Sequence, residues 1–159
     1  EGEQFKFAPQ AGWGDDFGGQ ATVNDVAGAN ITVDGTNLVA GKAGWYLLYI
    51  HNGSERTFTV LEPNVYLIGD TAGEWNVADS HKFTVPTTED GVFESPAFAN
   101  DAELRMCVSI DNFDWWKTEF IIFDGNIAYR GRGGDQERVA VKAGQKAYLN
   151  FAKGTGEIK

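Results

Sequence analysis

The chain repeats part of itself at an offset of 100 residues, and this repeat constrains its architecture more than any single motif does. Residues 38–44 read Leu-Val-Ala-Gly-Lys-Ala-Gly, and residues 138–144 read Arg-Val-Ala-Val-Lys-Ala-Gly, with five of seven positions identical. Each copy is followed by an apolar segment of strand-like composition and then by a glycine turn. A chain of 159 residues has room for one or two small domains, so the repeat predicts two related domains in tandem.

The boundary between the two copies is predicted at Pro63-Asn64, because proline interrupts strand pairing and favours an extended connection. The second copy opens near Val65, so the same offset would start the first copy before Glu1. We therefore expect residues 1–63 to form a partial β-sandwich domain whose leading strands are missing. Residues 64–159 are expected to form a complete β-sandwich domain.

Short alternating apolar runs and 20 glycines predict strands and turns along the chain, and we find no apolar stripe with the period of a helix. Turn signals such as Asp34-Gly35, Asn52-Gly53 and Asp124-Gly125 separate the runs, as expected for hairpins. The sequence therefore predicts an all-β protein of tandem β-sandwich domains. The candidate strands are 4–8, 30–33, 45–52, 56–61, 64–69, 82–85, 92–98, 103–110, 119–123, 127–130, 138–141, 146–151 and 156–159.

Charge and cysteine content argue against several classes of protein. With 13 Lys and Arg against 23 Asp and Glu, the net charge of −10 disfavours binding to nucleic acid or to anionic lipid. The single cysteine, Cys107, rules out an internal disulfide and a Cys-x-x-Cys metal site. The longest apolar run, residues 44–50, is far shorter than the roughly 20 residues of a membrane helix. We therefore expect neither a nucleic-acid partner nor redox chemistry.

The titratable residues show no pattern that predicts catalysis. His51 and His81 fall in different copies and have no recurring spacing to a serine, a cysteine or a carboxylate. Paired acids at residues 15–16 and 111–114 have the chemistry of a glycosidase pair or a calcium site, but we interpret them as solvated turn residues. No catalytic residue, metal or cofactor is predicted.

Aromatic residues on predicted loops carry the functional signal. Residues 111–117, Asp-Asn-Phe-Asp-Trp-Trp-Lys, place three aromatics among polar residues, and a second predicted loop, 69–76, contributes Trp75. Exposed tryptophans usually mark a binding surface. Indole rings suit the apolar C–H faces of a sugar, while arginine, lysine and asparagine meet its hydroxyls. The predicted carbohydrate site consists of Trp75, Trp115, Trp116, Arg105, Lys117 and Arg130, with Arg132 as a further cationic candidate.

The alternative for each of these tryptophans is a place in the core of a sandwich. If Trp115 and Trp116 are exposed, replacing either with alanine should weaken glycan binding and leave the melting temperature nearly unchanged. In the first copy Trp13 takes the place of Phe113, but acids stand at the positions of the two tryptophans, which predicts a weaker site there.

Several of these residues resemble a known family. The second copy opens Val-Tyr-Leu-Ile-Gly-Asp at 65–70 and continues to Trp75-Asn76, while the first contains Phe5-Lys6-Phe7 and Trp13-Gly14. This pattern is similar to the tandem domains of the SusE and SusF family of starch-binding lipoproteins. The resemblance implies immunoglobulin-like β-sandwiches without catalytic activity that bind maltooligosaccharides through paired aromatics and Lys or Arg. It also implies a lipid anchor on the outer membrane in the full-length protein, which would leave this fragment soluble.

The expected function is therefore non-catalytic binding of polysaccharide at the cell surface in support of glycan uptake. Starch or maltooligosaccharide is the expected ligand, and other glucans, xylan and xyloglucan remain open. One alternative is a structural module whose aromatics contact a partner protein of a surface glycan-uptake complex. A second alternative is a glycoside hydrolase, either the enzyme itself or an accessory fragment of one.

Overall fold

The computed structural model describes residues 2–131 and 133–159, so the candidate Arg132 lies outside the described residues. Within these ranges the chain forms fifteen strands and two short 3-10 helices, and it contains no α-helix. The predicted all-β class is confirmed. None of the helices in the described part of the chain is long and apolar enough to cross a bilayer. The chain divides into two compact units, Glu1–Pro63 (unit 1) and Asn64–Lys159 (unit 2).

Unit 1 contains two three-stranded sheets with the strand orders β1-β4-β3 and β2-β6-β5. Strand β2 runs parallel to β6, and the other pairs are antiparallel. Leu38 from one sheet and Phe58 from the other share a buried cluster with Phe17, so the core of this unit lies between its sheets. The strands are β1 (Gln4–Phe5), β2 (Thr22–Asp25), β3 (Thr32–Asp34), β4 (Asn37–Val39), β5 (Leu47–Asn52) and β6 (Arg56–Leu61).

Unit 2 contains a seven-stranded antiparallel sheet of order β7-β10-β11-β12-β15-β14-β8 and a two-stranded sheet of β13 and β9. Its 3-10 helices span Asp79–His81 and Trp115–Thr118. The strands are β7 (Val65–Leu67), β8 (Phe93–Glu94), β9 (Ala102–Glu103), β10 (Met106–Val108), β11 (Glu119–Phe123), β12 (Asn126–Tyr129), β13 (Ala140–Val141), β14 (Ala147–Asn150) and β15 (Thr155–Ile158).

The β11–β12 hairpin is the element that the sequence predicts best. Phe123 pairs with Asn126 across a two-residue turn. Asp124 and Gly125 have φ values of +46° and +77°, and a type I′ turn requires positive φ at both positions. The Asp-Gly dipeptide therefore fixes the register of a hairpin that begins at Glu119 and leads directly to the candidate Arg130.

The sequence repeat corresponds to a repeat of strand pairing. In unit 1 the backbone N–H of Ala40 donates to the carbonyl of Glu3 at 3.2 Å. In unit 2, Ala140 pairs with Glu103, which is the same register at the same offset. Strands β5 and β14 follow in the two units, beginning at positions 47 and 147. The repeated segment thus marks equivalent strands in the two units.

Some expectations about single elements are wrong. Strands β2 and β4 are not among the predicted strands. Strand β2 presents few apolar residues, and β4 is only three residues long. Residues 82–85 make only isolated bridges, and the predicted loop 111–117 runs into a 3-10 helix. The predicted strand 103–110 is divided between β9 and β10, which lie in different sheets. Arg105 lies at this crossing, between the ends of the two strands.

Candidate functional site

An open pocket of about 450 Å³ in unit 2 contains most of the predicted site. Five of the six candidates contribute to its wall, and the sixth, Lys117, does not. The ammonium of Lys117 lies 5.3 Å from the ring centroid of Trp116 and 3.1 Å from a carboxylate oxygen of Asp114, outside the pocket wall. The lining residues are Trp75, Arg105, Trp115, Trp116, Arg130, Asp135 and Arg138.

Two tryptophans form an angled pair at the centre of the pocket. The rings of Trp75 and Trp115 have centroids 5.4 Å apart and planes inclined by 51°. Trp75 is 51% exposed, whereas Trp115 is half-buried and packs against the buried cluster of Tyr66, Ile68 and Cys107. Trp115 is therefore part of both the pocket and the core, and the expectation that its removal would spare stability is not supported for this residue.

The loop that carries Trp75 is closed tightly by backbone contacts. The N–H of Gly69 donates to the carbonyl of Glu74 at 2.8 Å, and Gly69 has a φ of +79°. A Cβ at this position would lie 3.2 Å from the Trp75 ring, so the indole packs directly on the glycine. Thr71 is fully buried, and its hydroxyl donates to the carbonyl of Glu103 at 2.7 Å. These contacts fix the position of the exposed indole.

One buried carboxylate holds two of the three arginines that line the pocket, Arg105 and Arg130. Glu119 is fully buried at the start of β11, and its two oxygens accept hydrogen bonds from Arg105 and Arg130, each at 2.6 Å. Cross-strand pairing places Glu119 opposite Cys107 on β10, next to Arg105 along the sheet. The sequence analysis missed Glu119. An acid that opens the otherwise apolar strand Glu-Phe-Ile-Ile-Phe is the signal that could have identified it.

Each guanidinium lies between a carboxylate and an indole. The Cζ atom of Arg105 is 5.6 Å from the Trp115 centroid, and that of Arg130 is 5.4 Å from the Trp116 centroid, within the range of cation–π attraction. Burial of Arg105 opposes its charge, but the hydrogen bonds to Glu119 and Asp135 outweigh this effect and raise its pKa. Both arginines are thus oriented in advance of any ligand.

Asp135 and Arg138 are further pocket residues that the sequence analysis did not assign to the site. The Arg105 guanidinium donates to both oxygens of Asp135, at 3.0 and 3.3 Å, and this contact lowers the pKa of the Asp135 carboxyl. Arg138 donates to Asp135 at 2.6 Å and lies 3.1 Å from a carboxylate oxygen of Glu103. Among the described contacts, Arg105 uses three of its five N–H donors, which leaves two that can meet a ligand.

The residues considered for catalysis or metal binding make ordinary contacts elsewhere. Asp15 pairs with Arg56, and Asp16 lies 2.6 Å from the ammonium of Lys6. His81 approaches Glu74 at 3.5 Å. In the described part of the chain, no three His, Cys, Asp or Glu side chains are grouped so that they could hold a metal ion.

Unit 1 contains a simpler version of the same arrangement. Its Lys6 pairs with Asp16 and lies 4.7 Å from the ring centroid of Trp13, as Arg105 pairs with Glu119 beside Trp115. Trp13 is 77% exposed. Asp15 and Asp16 of unit 1 stand at the positions that Trp115 and Trp116 take in unit 2. The aromatic area beside Lys6 is therefore smaller than that beside Arg105.

Comparisons with known proteins find relatives that match almost the whole chain. The chain is 51% identical to the outer membrane protein SusF of Bacteroides thetaiotaomicron, over 99% of its own length and 34% of that protein. The crystal structure of SusF from the same organism superposes with a TM-score of 0.94 at 49% identity, covering 99% of this chain and 37% of that one. The chain therefore spans about a third of SusF.

The sequence also matches a family profile in two segments. Residues 1–60 and 64–157 both match the profile described as SusF/SusE starch-specific carbohydrate-binding modules. The two segments meet near the division between unit 1 and unit 2. With this coverage of almost the whole chain, the protein belongs to the SusF/SusE family of starch-specific carbohydrate-binding modules.

Proposed function

We propose that unit 2 binds starch without altering it, through Trp75, Trp115, Trp116, Arg105 and Arg130, with Lys117 at the edge of the site. The observation that carries the proposal is the angled tryptophan pair, with centroids 5.4 Å apart and planes at 51°. An α-1,4-linked glucan curves along its length, so neighbouring glucose rings can stack on inclined indoles. A flat β-1,4-linked chain would instead need rings that are nearly coplanar.

The expected affinity is modest. An indole that covers about 100 Å² of apolar sugar surface contributes about 2.5 kcal/mol. The pair, together with hydrogen bonds from the free donors of Arg105, must offset the loss of translational and rotational freedom. We therefore expect a Kd between about 1 mM and tens of micromolar for a short maltooligosaccharide.

Family membership supports the location and role of the full-length protein. The relative from Bacteroides thetaiotaomicron is named an outer membrane protein, and this chain spans about a third of it. The full-length protein presents these units at the outer membrane surface, held there by a lipid anchor, and captures starch for uptake. Other proteins of a surface glycan-uptake complex are its expected partners.

Affinity electrophoresis tests the proposal directly. The chain is run through native gels that contain amylopectin, xylan, xyloglucan, mixed-linkage β-glucan or no polymer. Retardation in amylopectin is the expected result. Retardation only in a β-linked polymer would overturn the assignment of starch, and migration that no polymer slows would favour the structural module that contacts a partner protein.

Two tryptophan variants assign the binding to unit 2. Trp116→Ala should abolish most of the retardation in amylopectin while the protein stays folded, because Trp116 is exposed at the pocket. Trp13→Ala is the matched control, since it removes an exposed indole from unit 1. An equal loss in both variants would contradict the assignment of the main site to residues 64–159.

A further inference from the structure

A second pocket of about 310 Å³ adjoins the first one in unit 2. Three residues, Trp75, Arg105 and Arg138, line both pockets, so they form the border between them. Trp75 therefore faces both spaces. We call the second space the acidic pocket, and it is lined by Asp70, Trp75, Ala102, Glu103, Arg105 and Arg138.

We infer that the acidic pocket binds an additional glucose residue of the same starch chain, on the far side of Trp75 from Trp116. This inference rests on the proposed function, because it extends that site along its ligand. A pocket of about 310 Å³ lies at the lower end of the size range of ligand sites, about 300 to 1,000 Å³, which suits one or two sugar rings rather than a whole oligosaccharide.

The acidic pocket adds a hydrogen-bond acceptor that the first pocket lacks. The first pocket presents arginine donors, because the carboxylates of Glu119 and Asp135 are already occupied by Arg105 and its neighbours. The acidic pocket adds Asp70, whose carboxylate has no hydrogen bond or ion pair with any of the described residues. A sugar hydroxyl both donates and accepts. Asp70 can therefore accept from hydroxyls of a glucose residue that the first pocket does not reach.

The backbone around the acidic pocket is fixed before a ligand arrives. The carbonyl of Asp70 accepts hydrogen bonds from the side-chain amide of Asn100 at 3.0 Å and from the N–H of Gly73 at 3.1 Å. The buried Thr71, which follows Asp70, donates to the carbonyl of Glu103 at 2.7 Å. Both acids of the pocket are thus attached to one hydrogen-bonded frame, which lowers the entropic cost of binding.

Calorimetric titration with maltotriose and maltoheptaose tests the inference. Asp70→Ala should weaken maltoheptaose binding about threefold to tenfold, the range for one lost hydrogen bond of typical strength. Maltotriose, which the first pocket can hold alone, should change less than about twofold. Asp70→Asn keeps the side-chain volume and one acceptor oxygen, so its loss for maltoheptaose should be smaller than that of Asp70→Ala.

Asp90→Ala is the matched control, because Asp90 is an exposed acid of unit 2 that lines neither pocket. It removes the same charge and should leave both affinities unchanged. Unchanged maltoheptaose binding in Asp70→Ala, or an equal loss for the two sugars, would overturn the inference while the proposed function stands. Failure of the unaltered chain to bind either sugar would overturn both.

Discussion

Replacing Glu119 with glutamine should destabilise unit 2 and weaken starch binding, because this one carboxylate holds two of the three pocket arginines, Arg105 and Arg130. Glu119 is fully buried, and it accepts hydrogen bonds of 2.6 Å from Arg105 and Arg130. Glutamine has nearly the same shape, but one of its two terminal groups is a donor. At least one guanidinium would therefore face an N–H group in place of an oxygen.

The size of the effect follows from the burial of the three side chains. Removing one partner of a buried ion pair costs about 3 to 5 kcal/mol. Asp135 lies 3.0 Å from Arg105 and 3.4 Å from Arg130 and is unchanged in this variant. The side chains of Arg105 and Arg130 are 9% and 13% exposed. Because this second carboxylate and some water remain, we expect a loss near the lower limit, about 3 kcal/mol.

Urea unfolding measures this loss, with Glu157→Gln as the control. Glu157 pairs with Lys159 at 2.8 Å, and both side chains are 61% exposed, so its loss should cost less than about 1 kcal/mol. The m-value should stay the same in both variants, since the surface exposed on unfolding does not change. In native gels run at pH 7 without urea, retardation by amylopectin should fall for Glu119→Gln and stay normal for Glu157→Gln.

A loss below about 1 kcal/mol for Glu119→Gln, no larger than that of an exposed pair, would refute the reasoning. It would mean that Asp135 alone orders the two arginines. A large loss of stability with normal binding would separate the two roles and show that the arginines do not contact the ligand.

Three further outcomes are expected. Gly69→Ala should lower both the melting temperature and the retardation in amylopectin gels. Alanine disfavours a φ of +79°, and its Cβ would lie 3.2 Å from the Trp75 ring. Unchanged retardation would mean that the loop accepts the alanine without moving Trp75. Arg105 lowers the pKa of Asp135, so the pair stabilises the fold fully above about pH 4 and loses this effect as the pH falls through the lowered pKa. In Asp135→Asn the melting temperature should therefore depend less on pH across that acidic range. Burial, with a smaller contribution from the charge of Glu119, raises the pKa of Cys107 to about 12. The folded protein should therefore not react with Ellman's reagent at pH 8 until denaturant is added. Rapid labelling without denaturant would contradict this burial.

The strands that the sequence predicts correctly are those with a strong local signal. The bounds of β6 and β11 match the expected 56–61 and 119–123, because each is an apolar or alternating run that begins and ends at polar turn residues. Strand β2 is paired in parallel with β6 through contacts distant in sequence, so its four residues carry little local signal. Nothing local indicates that residues 103–110 change sheets at Arg105.

Five of the seven residues that line the pocket were predictable from the sequence, but the geometry of the pocket was not. Trp75, Trp116 and the two arginines follow from residue type and predicted loops. The inclination of 51° between the indole planes depends on the tight loop at Gly69 and on the core beneath Trp115, which are tertiary features. The contribution of Arg138 arises from its pairing with both Asp135 and Glu103, whose spacing along the chain shows no motif.

The repeated strand pairing has an evolutionary consequence. Both units keep the pairing of residues 3 and 103 with residues 40 and 140, while the segments that carry Trp13 and Trp115 differ in composition and charge. After duplication of an ancestral domain, such an arrangement lets selection alter the ligand-facing segment of one copy without disturbing its sheets. Exchanging residues 111–117 between relatives, with Trp115 retained because it packs on the core, is therefore a practical route to engineered modules that prefer other glycans.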